Sequence, residues 1–131
     1  MERTDMRKNN TDGDNIKENN AKEDKNAQIR CVEKSSPEYP QIMKQYPSMP
    51  GKLYVRGRFP DPDRRTVAVI GARMCSPYGR IQAFRYAKAL SEAGVQIISG
   101  MALGIDSEGH KGALEGNMPT FAVLGSGVDV C

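Results

Sequence analysis

The chain has 131 residues, 27% of them charged and 38% hydrophobic, with a formal net charge of +3. That length admits one domain at most, and so mild a basic excess is compatible with nucleic acid without requiring it. No apolar run approaches the roughly 18 residues of a membrane-spanning helix and the polar amino-terminus is unlike a secretory signal, so a cytoplasmic protein with no membrane partner is expected.

Residues 1–30 are two-thirds Asn, Asp, Glu, Lys and Arg, with Ile16 and Ile29 the sizeable branched apolar residues. Such a segment cannot bury enough surface to offset its ordering entropy, which predicts a disordered polar tail. Residues 31–62 form a lead-in segment. Pro40, Pro47 and Pro50 limit it to one short helical turn near Gln41–Gln45, Leu53–Arg56 reads as a short strand stopped by Gly57, and Phe59–Arg65 is a loop. Cys31, Cys75 and Cys131 are widely spaced, odd in number and outside any CxxC pair, the pattern of free thiols.

Residues 63–131 carry the regular pattern. Thr66–Ile70 is an apolar strand and Gly71-Ala72-Arg73 a turn, after which Ser76 caps a helix with Pro77 at its first position. Ile81, Phe84, Ala87, Leu90 and Ala93 recur at helical spacing, and Gly94 ends the helix. A second strand, Val95–Ile98, runs into the turn Ser99–Asp106, where Asp106 is predicted to cap a helix reaching about Leu114; Glu115, Gly116 and Asn117 close it. Thr120–Leu124 is a third strand, and Gly125-Ser126-Gly127 a third glycine turn.

Alternation of strand and helix makes this an α/β fold, a βαβαβ half of a Rossmann-like parallel sheet with its glycine turns at the carboxyl edge where such sheets bind ligands. Right-handed crossovers in one direction place both helices on the same side of the sheet, yet the strands are apolar on both faces. The second face is expected to be covered by residues 31–60, by a partner, or by the remainder of a longer protein.

The runs Gly71–Gly79, Ser99–Asp106 with His110, and Thr120–Asp129, together with Tyr39-Pro40 and the Pro50–Gly57 segment, resemble the DNA-processing protein A family, also called DprA or Smf. The resemblance covers about residues 39–131, with several motifs in order, which is more specific than one glycine loop. It implies a Rossmann-like domain, here its amino-terminal half, that binds single-stranded DNA, forms a homodimer and helps load a RecA-type recombinase in DNA uptake and natural transformation. It implies no enzyme activity and no cofactor. Arg73 matches the arginine of the family's Gly-Ser/Ala-Arg turn, which contacts DNA phosphate. The alternatives are a nucleotide-binding phosphoribohydrolase-like enzyme, although its Pro-Gly-Gly-x-Gly-Thr loop is missing, or an inactive truncated fragment.

The expected phosphate-binding rim comprises Gly71, Arg73, Ser76 and Gly79 from the first turn, Ser99, Gly100 and Gly104 from the second, and Gly125 and Gly127 from the third. The competing reading gives the glycines a packing role and leaves Arg73 solvated. Asp106 and His110 are expected to be structural, Asp106 as a helix cap that also fixes the loop and His110 as partner of Asp106 or of a loop carbonyl. A triad with Ser99 lacks the G-x-S-x-G setting, and a lone histidine is too little for a metal. Tyr78 is the aromatic residue near the rim, placed either to stack on a base or to pack beneath the helix.

Overall fold

The computed structural model describes residues 28–129, so the expectation for the tail lies almost wholly outside the described residues. Strand β1 (Arg30–Glu33) pairs antiparallel with β2 (Lys52–Val55), Val32 opposite Leu53. β1 was not expected: Arg30 had been assigned to the tail, and its pairing partner lies about twenty residues downstream, out of reach of local pattern. Between the strands, the single turn α1 (Gln41–Lys44) follows Tyr39, which is fully buried and donates its hydroxyl to the Pro50 carbonyl at 2.7 Å. Tyr39, Val32 and Val55 form a small core joined by Met43, Leu53 and Phe59.

The remaining elements are β3 (Thr66–Ala68), α2 (Pro77–Glu92), β4 (Gln96–Ser99), α3 (Ile105–Glu115) and β5 (Thr120–Ala122). Their strands form a parallel sheet in the order β3-β4-β5, the Rossmann-like half. β3 and β5 are shorter than the apolar runs that encode them and β4 is displaced one residue along its run, although Val69 and Val123 continue the ladder through N–H bonds to Ile98 O and Ser99 O at 3.0 and 2.8 Å. Gln96, buried at the sheet's opposite end, closes the entry loop: its amide accepts from Asp61 N and donates to Asp61 O and Thr66 Oγ1.

Helix α2 begins and ends by recognisable chemistry. Ser76 Oγ accepts from Gly79 N at 3.1 Å with Pro77 at the first helical position. At the other end Gly94 takes φ 81°, its N–H bonding to Ser91 O, while Val95 N–H bonds to Leu90 O, the two bonds of a Schellman ending.

Both helices cover one face of the sheet and pack on each other. The approach is close because α3 offers glycines: a Cβ on Gly112 would lie 2.3 Å from the Phe84 carbonyl oxygen, and one on Gly109 2.7 Å from Val69 Cγ1. Ala87, Ile97 and Ala113 are fully buried there, with Val69 and Leu90 packed around them. Ser91 Oγ stitches the helices, donating to Ala113 O at 2.7 Å and accepting from Met118 N at 2.9 Å.

The other face is open. Register places Ala68, Ile98 and Phe121 side by side on it, and Ile70 and Val123, 71% and 63% exposed, lie beyond them on the adjoining loops. Of the three covers expected for this face, the strands and the helix within residues 31–60 are not one: none of them packs against the sheet.

Candidate nucleic-acid interface

The first two glycine turns meet at the carboxyl edge of the sheet, and Asp106 joins them. Helix α3 starts two residues earlier than expected, with Gly104 (φ 87°) in the cap position, so Asp106 belongs to the first turn of the helix and is not its N-cap. Its buried carboxylate accepts from Gly71 N and from Gly100 N, each at 3.2 Å. The two N–H groups that a phosphate would have used are therefore held by a side chain of the chain itself, at a helix N-terminus whose dipole favours the negative charge.

The remaining inner residues are also committed. Ser99 Oγ is buried and donates to Val69 O at 2.6 Å across the sheet. A Cβ on Gly104 would fall 2.3 Å from Ala72 O, and one on Gly71 2.8 Å from Ile105 Cγ1, so both glycines serve close packing of one turn on the other. Ser76 and Gly79 are engaged with each other in the helix cap. Inside the turns, then, Gly71 and Gly104 stand in close packing contact, and Ser76 and Gly79 share the helix cap.

His110 does not reach Asp106 or a loop carbonyl by hydrogen bond. Its Nδ1 lies 2.7 Å from Thr120 Oγ1, whose own proton goes to Ile97 O at 3.0 Å, so Nδ1–H is the donor and the ring is the neutral Nδ1–H tautomer. Nε2 is buried without a partner. Burial lowers the imidazole pKa below its ordinary 6.5, against a smaller upward pull from the Asp106 charge. Ser99, His110 and Asp106 thus bond to three different groups and form no triad. No cluster of metal-ligating side chains occurs among the described residues.

What faces outward is different in kind. Arg73 is exposed and has no ion pair among the described residues, and the N–H groups of Ala72 to Ser76 and of Tyr78 donate to no acceptor there. Tyr78 is 71% exposed and therefore not packed beneath the helix. Beside Arg73, Met74 is 96% exposed, and Met101 and Leu103 of the second turn also stand in solvent. Their apolar character was visible in the sequence, outside any helical or strand period. Gly125 and Gly127 are exposed at the third turn, with open space around Gly125.

Residues 30–131 match the family model described as DNA recombination-mediator protein A. The chain belongs to the DNA recombination-mediator protein A family. It is 35% identical to Protein Smf of Synechocystis sp. over 98 residues, covering 72% of this chain and 25% of that protein. The X-ray structure of DNA processing protein A from Streptococcus pneumoniae superposes with a TM-score of 0.71 at 29% identity, over 88% of this chain and 40% of that one. DNA processing protein A from Helicobacter pylori, whose structure is described for that protein's single-stranded DNA binding mode, gives 0.60 at 28% identity, over 76% of this chain and 43% of that one. The chain of this family member thus spans about a quarter of the Synechocystis relative it matches.

Proposed function

We propose that this chain binds single-stranded DNA, without sequence readout, on the outer rim of its glycine edge. The observation that carries the proposal is Arg73: a forked, exposed donor, without an ion pair among the described residues, on a turn whose N–H groups from Ala72 to Ser76 have no acceptor among them and whose backbone is held by Asp106 and Gly104. The likeness to the Helicobacter pylori protein supports the choice of ligand. The glycines supply the scaffold, and phosphate is met outside them. The chain acts as a binder and not as an enzyme, in the cytoplasm. We further propose that this edge works within a homodimer and delivers its strand to a RecA-type recombinase, in keeping with the family's description as a recombination mediator.

Arg73→Ala is expected to weaken binding to oligonucleotides of every sequence and to flatten the salt dependence by about 0.7 in the log–log slope, the release expected for one phosphate contact on a single strand. Fluorescence anisotropy at several salt concentrations checks both. An unchanged affinity and slope would remove Arg73 from the interface.

A further inference from the structure

Helix α2 leads away from Arg73 with an outer face that the core does not use. Tyr78, Ile81, Arg85 and Tyr86 stand out on that face, Tyr86 67% exposed. Spacings of three, four and seven residues keep Tyr78, Ile81 and Arg85 on one side of the helix, with Tyr86 on its flank. Two shallow grooves flank the ridge. One lies towards α3 and is lined by Arg80, Ile81, Phe84, Arg85 and Glu108, and the other holds Arg85 and Tyr86 on α2 itself.

The charges on this surface are unequal in what they leave free. Lys88 lies 4.0 Å from Glu92 and 3.9 Å from Glu115, and Lys111 is 3.0 Å from Glu108, so the nearby carboxylates already have cations. Arg80 and Arg85 have no such partner among the described residues. What remains is positive charge interleaved with exposed aromatic rings, the combination that holds a single strand by phosphate attraction and base stacking.

We propose that the outer face of α2 is a track that carries the single strand onward from Arg73, with Tyr78 and Tyr86 as stacking platforms and Arg85 as a phosphate contact. This rests on the proposed DNA binding at the rim and extends its footprint. The two tyrosines are eight residues apart, roughly 12 Å along the helix axis. At the stacked spacing of about 3.4 Å per nucleotide, that adds three to four nucleotides to those held at the rim.

The test uses the full chain, fluorescein-labelled oligothymidylates of about 5 and about 15 nucleotides, lengths spanning the usual footprint of a single-strand-binding site, and the variants Tyr86→Ala, Arg85→Gln and Arg73→Ala. The exposed Tyr54 of β2 provides a control, Tyr54→Ala. The track predicts that Tyr86→Ala weakens binding of the long oligonucleotide about fivefold or more and hardly alters the short one. Arg85→Gln should flatten the salt slope of the long one by about 0.7, and Tyr54→Ala should change neither. If both α2 variants bind the long oligonucleotide like the parent while Arg73→Ala weakens it, the track is wrong and the rim stands. If the parent binds neither length, both fall. If the α2 variants alter sedimentation of the protein and leave DNA binding intact, the face is a protein-docking surface and the track is again overturned.

Discussion

The two faces of the three-stranded sheet are equally apolar in sequence and unequally treated in structure. On one, α2 and α3 approach until glycine is the residue that fits, and Ile97 loses all contact with solvent. On the other, Ala68, Ile98 and Phe121 form a row with no helix of the described residues over it, flanked by the exposed Ile70 and Val123. Burying a branched aliphatic side chain is worth about 1.5–3 kcal/mol, so the covered face holds the unit together and the open one contributes little to it. Apolarity thus shows that a surface is meant to be covered; small residues at helical spacing show where the cover is present.

The sharpest way to break this contrast is Gly112→Ala. On an isolated helix the change would stabilise by about 1 kcal/mol, but here the new methyl meets the Phe84 carbonyl at 2.3 Å. A net loss of about 2–3 kcal/mol from overpacking is expected, read as a lower urea midpoint at unchanged m-value. A gain in stability would mean that the helices are not in close contact.

A smaller effect should follow from acid, through His110 on the covered side. Its folded pKa lies below the unfolded 6.5, so the folded state binds fewer protons than the unfolded state. The stabilising contribution is complete above pH 6.5 and is lost as pH falls from there through the lowered folded value. Urea midpoints measured across that window should drop for the parent and drop less for His110→Gln. Equal drops would assign the acid sensitivity to other groups.

The smallest change is expected on the open face. Ile70→Thr should shift stability by no more than about 0.5 kcal/mol, as exposed positions do, while lowering concentration-dependent association in sedimentation. A large destabilisation would show that this face is already covered in solution.

Where sequence reading succeeded, the information was local. Ser76 with Pro77, and Gly94 after an apolar helix, state their helix ends within a few residues, and all three occupy the expected positions. The three parallel strands were legible for the same reason, although β3 and β5 are shorter than their apolar runs and β4 is displaced by one residue. β1 escaped because Arg-Cys-Val-Glu has little strand character of its own and is defined by pairing with Lys52–Val55. Asp106 was read as an N-cap because nothing in its neighbourhood betrays an acceptor role towards Gly71, 35 residues earlier. The exposure of Tyr78 depended on how α2 is rotated over the sheet, which a wide apolar stripe does not define at its first turn. Arg73 was legible as a candidate through its place in the turn and the family resemblance together.

The carboxylate of Asp106 between Gly71 N and Gly100 N also bears on how fast a strand can be captured. Many phosphate loops gain their order from the ligand and spend part of its binding energy on doing so. Here the chain carries its own anion, which ties the first two turns together by hydrogen bonds of its own. For the proposed binding of single-stranded DNA, association would then need no ordering of this edge, and its rate would be set by diffusion and by the attraction of the outward-facing arginines for the strand.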